Sequence, residues 1–187
     1  MKSERKPQHV LLTGAAGFIG SHVAGRLLER GDRVMGLDNL SDYYDPALKQ
    51  ARLQRLEGVA NFRFVQLDLA DRTGMAELFA AERFDSVIHL AAQAGVRYSI
   101  THPNAYFDSN LTGFGHVLEV YRVQGVAHLV YAYSFSVYGG NTKMLITESD
   151  AVNHLVSLYV ATKKANELMS YTYCHLYGIP TTRPRSF

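Results

Sequence analysis

The sequence has almost no cysteine and no histidine spacing of the kind that binds metals. Cys174 is the only cysteine among the 187 residues, so an intramolecular disulfide is impossible and a reducing compartment is expected. The eight histidines show no HxxxH or HxxH spacing, so we predict no metal site. No Ser-His-Asp or Cys-His arrangement is indicated either.

Long apolar runs and a strong net charge are also absent. No apolar run approaches the ~18 residues that a membrane span needs. The N-terminal segment MKSERKPQ is not followed by the apolar core of a signal peptide. The formal net charge is only +2, from 19 basic and 17 acidic residues. We therefore expect a soluble cytoplasmic protein that binds neither nucleic acid nor a membrane.

Short β-rich runs alternate with longer segments of helical periodicity. The predicted strands are His9–Thr13, Arg33–Asp38, Phe62–Leu67, Ser86–Leu90, Ala127–Tyr133 and Pro180–Phe187. The predicted helices are Phe18–Arg30, Ala47–Glu57, a helix capped by Asp71 that ends near Arg83, Ala105–Gln124 after Pro103, and Leu155–Tyr177. This alternation predicts an α/β fold with a doubly wound parallel sheet of Rossmann type.

The first predicted strand is followed by a glycine-rich loop, TGAAGFIG. Gly14, Gly17 and Gly20 let backbone amides approach a pyrophosphate, and a helix N-terminus adds partial positive charge there. Glycine spacing alone often marks only a tight turn, and G-x-x-G-x-x-G departs from the usual G-x-G-x-x-G. The position between a strand and a helix nevertheless predicts a dinucleotide site.

Two aspartates follow the next strands. Asp38 ends the second strand, 18 residues after Gly20, where a carboxylate can accept hydrogen bonds from adenosine ribose hydroxyls and repel a 2′-phosphate. That position favours NAD over NADP, and a surface loop aspartate is the alternative. Asp68, after the third strand, can contact adenine or simply cap a helix.

A tyrosine and a lysine on the last predicted helix are candidate catalytic residues. Tyr159 and Lys163 are four residues apart, so both can face one cleft, and an ammonium favours the phenolate of a phenol whose ordinary pKa is ~10. A solvated helix face is the alternative. Ser134 and Ser136 follow the fifth strand, at the edge where open sheets bind ligands. Arg97 can hold a phosphate or carboxylate, or be an ordinary surface arginine.

Several segments of the chain together carry a resemblance to a known family. They are LLTGAAGFIGSHVAGRLLERGDRVMGLDNLSDYYD, FVQLDLAD, VIHLAAQAGVRYS, SNLTGF, LVYAYSFSVYGG and SLYVATKKANEL. In this order they resemble the extended short-chain dehydrogenases/reductases, and among these the NAD-dependent nucleotide-sugar epimerases of the UDP-glucuronate 4-epimerase branch.

The resemblance implies NAD as cofactor and a nucleotide sugar as substrate. The implied cofactor contacts are Gly14, Gly17, Phe18, Ile19, Gly20, Asp38, Asn39, Asp68, Leu69, Leu90, Ala91, Ala92, Gln93, Tyr159 and Lys163. Ser134, Tyr159 and Lys163 fall on the family's catalytic serine, tyrosine and lysine. The expected substrate contacts are Arg97, Ser134 and Ser136. Asn110 falls on the family's helix asparagine, for which we expect a structural role.

The implied reaction is epimerisation at C4, from UDP-glucuronate to UDP-galacturonate, by transient oxidation to a 4-keto sugar. Tyr159 as phenolate would take the proton of the 4-hydroxyl, and Ser134 would hydrogen-bond the sugar oxygen. UDP-glucose/galactose is the alternative substrate. Related dehydratases carry Thr-Asp-Glu where this chain has Ser134-Phe135-Ser136, so elimination of water is not expected.

The sequence departs from the family pattern at two places. Tyr133 and Phe135 interrupt a run of small hydroxyl residues and place two large rings beside Ser134. The last segment is TTRPRSF where the family usually has TTGLRFF, and Pro184 cannot donate a hydrogen bond within a strand.

Family members also continue well beyond the position of Phe187. We therefore expect an NAD-binding Rossmann domain over residues 1–187 without the C-terminal substrate domain. A catalytically inactive NAD-binding remnant is the alternative function. Pairing of family members through their long helices, here near Ala105–Gln124 and Leu155–Tyr177, allows a homodimer.

Overall fold

The computed structural model of the chain describes residues 6–134 and 157–186. Within them the strands are β1 (His9–Thr13), β2 (Arg33–Asp38), β3 (Phe62–Gln66), β4 (Ser86–His89), β5 (His128–Tyr131), β6 (Tyr133–Ser134), β7 (Thr181–Thr182) and β8 (Arg185–Ser186). One parallel sheet has the order β3-β2-β1-β4-β5-β7, and β6 pairs with β8 separately. The predicted parallel sheet of Rossmann type is confirmed.

The helices between these strands occupy the predicted places. They are α1 (Phe18–Glu29), α2 (Pro46–Gln54), α3 (Arg72–Ala81), α4 (Tyr98–Thr101), α5 (Pro103–Tyr106), α6 (Phe114–Gln124) and α7 (Leu158–Tyr177). A π-helical segment, Phe107–Gly113, joins α5 to α6, so the long helix predicted after Pro103 carries a widened stretch. In the described ranges, no helix is both long and apolar enough to cross a bilayer.

The two faces of the sheet are covered by different helices. Val10 and Leu12 of β1 pack in one apolar cluster with Leu27 of α1. Leu11, between them, belongs to a second cluster that includes Phe114 of α6. Successive residues of a strand face opposite sides, so this central strand is buried on both faces, as a doubly wound sheet requires.

The strand order reverses direction beside β1. From β1 the chain continues outward to β2 and β3, and then returns to β4 on the other side of β1. Connections on either side of such a reversal diverge and leave a crevice at the carboxyl ends of the strands. Here those ends are Thr13 and His89, which are partners in the register of β1 and β4.

The end of the chain does not form the continuous strand predicted for Pro180–Phe187. Thr181 and Thr182 pair with β5, but the chain then leaves the main sheet and resumes as β8 beside β6. Pro184, between the two short strands, has no N–H to donate to a ladder. Arg183 forms an ion pair with Glu167 of α7, so its charge is compensated.

Candidate functional site

A cavity of about 560 Å³ lies at the carboxyl ends of β1, β2, β3 and β4. Its lining includes every predicted cofactor contact except Tyr159 and Lys163. Those residues are Gly14, Gly17, Phe18, Ile19, Gly20, Asp38, Asn39, Asp68, Leu69, Leu90, Ala91, Ala92 and Gln93. The predicted residues, from four separate stretches of sequence, are thus brought to one crevice at the strand-order reversal.

The glycine-rich loop brings the N-terminus of α1 to the wall of this cavity. Gly14 has φ +74°, and a Cβ there would lie 2.7 Å from the backbone nitrogen of Ala91. A Cβ at Gly20 would overlap the carbonyl oxygen of Gly14. Both positions therefore require glycine for the loop to close. Gly17 is the N-cap of α1 and has no side chain that could cap the helix, so amides of the first turn remain available to an anion.

Asp38 lies at the cavity, but its carboxylate already has partners within the protein. It accepts hydrogen bonds from the N–H groups of Ala16 (3.2 Å) and Leu40 (2.9 Å) and from Nζ of Lys49 (3.2 Å). Both members of the Asp38–Lys49 ion pair are almost fully buried. A carboxylate offers about four acceptor positions, so roughly one remains for a ligand. Asp38 thus fixes the glycine-rich loop to the end of β2.

The cationic and aromatic residues on the α2 side of the cavity were not predicted from the sequence. Lys49 also donates to Ser41 Oγ at 3.1 Å, and Arg52 donates to the hydroxyl of Tyr44 at 2.9 Å and to the carbonyl of Ala16. All four side chains line the cavity. The spacing of Lys49 and Arg52 in the sequence, one helical turn apart, was the signal that could have placed them on one face.

Asn39 and Asp68 form the far end of the cavity. Asn39 Nδ2 donates to Asp68 Oδ2 at 2.8 Å, and the N–H of Ala70 donates to Asp68 Oδ1 at 2.8 Å. Asp68 therefore fixes the turn after β3 and lines the cavity, whereas the N-cap of the following helix, α3, is Asp71.

His89 links the ends of β1 and β4 beneath the cavity floor. Its Nδ1 lies 2.8 Å from Thr13 Oγ1, and Thr13 Oγ1 accepts a hydrogen bond from the N–H of Ala91. Burial, together with the charge of Lys163, lowers the pKa of His89 from 6.5 to about 3. The imidazole is therefore neutral at physiological pH, and it positions the Leu90–Gln93 segment without adding charge.

Lys163 is buried behind the cavity wall. Its Nζ donates to the carbonyl of Ala132, a lining residue, at 3.2 Å. Burial lowers the pKa of Lys163 from 10.5 to about 8. Tyr159 is partly buried, and its ring packs on Tyr106 with centroids 6.1 Å apart. The two residues lie on neighbouring turns of α7, but neither side chain lines the cavity.

The predicted substrate contacts are less well defined by the structure. Arg97 is exposed at the start of α4 and does not line the cavity. The backbone of Ser134 belongs to β6, where it is in register with Ser186. Ser136 lies outside the described residues.

Asn110 connects the Leu90–Gln93 segment to α7 by hydrogen bonds. Its amide bonds to both the N–H (2.8 Å) and the C=O (3.0 Å) of Gln93, and its Nδ2 donates to Thr162 Oγ1 at 3.0 Å. Thr162 in turn donates to the carbonyl of Tyr159, and Asn166 donates to the carbonyl of Asn110. Asn110 thus has the expected structural role, because its hydrogen bonds hold Gln93 and α7 in fixed relative positions.

Comparison with known proteins places the chain in a family. The family described as "NAD dependent epimerase/dehydratase family" matches residues 10–187. UDP-glucuronate 4-epimerase 3 of Arabidopsis thaliana is 48% identical over 184 residues, which are 98% of this chain and 43% of that protein. Protein CapI of Staphylococcus aureus is 48% identical over 178 residues, which are 95% of this chain and 53% of CapI. The chain thus spans about half the length of these curated relatives.

Solved structures agree with these sequence matches. UDP-glucuronic acid 4-epimerase from Bacillus cereus, in complex with UDP-glucuronic acid and NAD, has a TM-score of 0.86 and 30% identity over 95% of this chain and 55% of that one. UDP-glucose 4-epimerase from Thermus thermophilus, in complex with NAD, has a TM-score of 0.81 and 35% identity over 95% of this chain and 54% of that one. This chain belongs to the NAD-dependent epimerase/dehydratase family.

Proposed function

We propose that the chain is the NAD-binding part of a nucleotide-sugar 4-epimerase that converts UDP-glucuronate to UDP-galacturonate. The observation that carries the proposal is the cavity at the strand-order reversal, which is lined by the predicted cofactor contacts other than Tyr159 and Lys163 and has Lys163 hydrogen-bonded to its wall at Ala132. The proposed NAD-binding domain is residues 1–187.

The described residues fit NAD. Gly17 lines the cavity at a point where a Cβ would already be tight against the carbonyl oxygen of Gly14 (3.1 Å), and the first amides of α1 are uncapped. In the proposal these amides hold the pyrophosphate, Asp38 accepts from the adenosine ribose, and Asp68 and Leu69 meet adenine. Bound NAD would act as a reversible hydride acceptor for C4 of the sugar.

The proposed acid–base chemistry belongs to α7. Tyr159 takes the proton of the sugar 4-hydroxyl, and the positive charge of Lys163 favours the phenolate form. Burial lowers the pKa of Lys163 only to about 8, so the ammonium still predominates at pH 7. His89 is neutral and therefore adds no second positive charge beside Lys163. Ser134 is the proposed partner of the sugar oxygen, and Arg97 and Ser136 are the proposed outer substrate contacts.

The choice of substrate rests on the relatives. Arabidopsis proteins named UDP-glucuronate 4-epimerase are 48–49% identical to this chain. A UDP-glucose 4-epimerase structure at 35% identity supports UDP-glucose/galactose as the second candidate. We also propose a homodimer, supported by apolar side chains exposed on α6 and α7, among them Val123 (72%), Leu168 (58%) and Leu176 (61%).

Calorimetric titration of NAD into the chain tests the cofactor site. Two glycine-to-alanine variants form a matched pair, one at the N-cap of α1 and one within the helix. Gly17→Ala places a methyl group at the cavity, and overpacking costs ~1–3 kcal/mol, so we expect binding to weaken about 5- to 150-fold. Gly25→Ala adds the same methyl group on α1, where a Cβ has nothing within 4 Å, and should leave the affinity unchanged.

Absence of NAD binding by the folded wild-type chain would overturn the proposal. Equal affinities for the two glycine variants would place the cofactor elsewhere. If NAD binds, turnover of UDP-glucuronate by the same chain separates an active epimerase from the alternative function, a catalytically inactive NAD-binding remnant. UDP-glucose turnover without UDP-glucuronate turnover would favour the other sugar.

A further inference from the structure

One loop spans the cavity from the α2 side to the β4 side. It follows β2, with Asp38 accepting from the N–H of Leu40, and Leu40 adopts φ +54°, the left-handed region that non-glycine residues rarely enter. On the α2 side the loop is held through Tyr44, whose hydroxyl accepts from Arg52 and whose ring lies 5.3 Å from Nζ of Lys49. The loop is therefore fixed to one wall by several polar contacts.

Tyr43 carries the loop to the opposite wall. Its ring meets the ring of Tyr98 edge-on, with centroids 4.7 Å apart at 61°. Its hydroxyl occupies the space where a Cβ of Gly95 would lie, and Gly95 has φ +97°, so no other residue fits there without displacing Tyr43. Tyr43 lines the cavity, whereas Tyr98 does not.

The opposite wall is itself well anchored. Tyr98 stacks on His102 with centroids 4.1 Å apart, and Tyr106 donates from its hydroxyl to the carbonyls of Ala94 and Gly95. The weak point between the two walls is thus the Tyr43–Tyr98 contact, an aromatic pair that is partly open to solvent. We call this pair the tyrosine bridge.

We propose that the tyrosine bridge closes the cavity and must open before NAD can enter or leave. The inference rests on the proposed function. An epimerase that returns its hydride to the sugar regenerates NAD in every cycle, so slow release of the cofactor does not limit turnover. The bridge consists only of contacts within the chain, so it hinders both entry and exit. A residue that only contacts bound NAD would slow exit alone.

Stopped-flow measurement of NADH binding, followed by its intrinsic fluorescence, tests the bridge in the full chain. Tyr98→Ala removes the partner ring without touching the cavity lining. Edge-on aromatic pairs contribute modestly, so we expect the association and dissociation rate constants both to rise about 2- to 10-fold, with the Kd unchanged within about twofold. Tyr43→Phe keeps the ring pair and should retain slow exchange.

The double variant and a surface control complete the design. Tyr43→Ala combined with Tyr98→Ala should exchange no faster than the faster single variant, because both remove the same contact. Tyr171→Ala, on the exposed face of α7, should leave both rate constants unchanged. If Tyr98→Ala does not fold, as judged by circular dichroism, Tyr43→Ala against Tyr43→Phe carries the comparison alone.

The outcomes separate this proposal from the one on which it rests. Wild-type rate constants in the alanine variants, or a faster dissociation with unchanged association, would overturn the bridge and leave NAD binding intact. A wild-type chain that binds neither NAD nor NADH would overturn the proposed function and the bridge with it. Parallel rises in both rate constants support the bridge.

Discussion

The buried Asp38–Lys49 ion pair gives a stability prediction that can be worked from its contacts. Asp38→Asn leaves the ammonium of Lys49 buried without a carboxylate, beside Ser41 Oγ and the ring of Tyr44. An unpaired buried charge costs ~3–5 kcal/mol, so we expect the free energy of unfolding to fall by about that much. Lys49→Met should cost less, ~1–3 kcal/mol, because Asp38 keeps the N–H groups of Ala16 and Leu40 and the new side chain still packs.

Urea denaturation followed by circular dichroism measures both changes. The double variant Asp38→Asn/Lys49→Met should be more stable than Asp38→Asn alone, since it removes the uncompensated charge. The exposed pair Arg26–Glu29 is the matched control, because Glu29→Gln should change stability by less than ~1 kcal/mol. A loss for Asp38→Asn no larger than that control would refute the reasoning that this carboxylate fixes the glycine-rich loop.

Three further predictions concern single side chains. In the folded chain the pKa of Lys163 is lowered from 10.5 to about 8, so between about pH 8 and 10.5 only the unfolded chain keeps this proton. The free energy of unfolding of the wild type, relative to that of Lys163→Met, should therefore rise by about 3 kcal/mol from pH 8 to pH 10.5, as measured by urea denaturation. The pKa of His89 is lowered from 6.5 to about 3, so below pH 6.5 the unfolded chain binds a proton that the folded chain does not. The free energy of unfolding of the wild type, relative to that of His89→Asn, should therefore fall by about 2 kcal/mol at pH 5. A difference between the two proteins that does not change with pH would contradict the buried neutral ring. Tyr173→Phe removes the hydrogen bond to Glu119 that links α7 to α6, and its thermal unfolding should show a loss of ~1 kcal/mol, whereas Tyr171→Phe should show none.

Much of the fold could be predicted because its signals are local. Apolar runs of strand length, the glycine-rich loop and the cap at Asp71 each specify their own segment, and the structure has the corresponding strands, turn and helix start close to the predicted positions. The interruption near Pro184 also follows from one residue, since proline lacks the N–H that a ladder needs. The sequence was sufficient to predict a segment wherever the residues that determine its structure are close to it in the chain.

The parts that could not be predicted depend on which distant residues meet. The pattern at Asp38 indicated a ribose contact, but nothing in the sequence near it shows that Lys49, Ala16 and Leu40 already occupy most of its acceptor positions. Likewise the apolar pattern of α2 predicts which face of the helix is buried, but it does not predict that Lys49 lies buried at the cavity. Such contacts arise from packing between elements, which periodicity does not encode.

The π-helical segment Phe107–Gly113 positions Asn110 and Phe114 through its length, so the number of residues in it matters as much as their identity. Each residue of an α-helix advances the chain by about 100° around its axis. Deletion of one residue there would relax the segment towards regular α-helix, and either Asn110 would turn from Gln93 or Phe114 would turn from the core of the sheet. A substitution changes one side chain, but a change in length would uncouple the Leu90–Gln93 segment from α7, the helix that carries Tyr159.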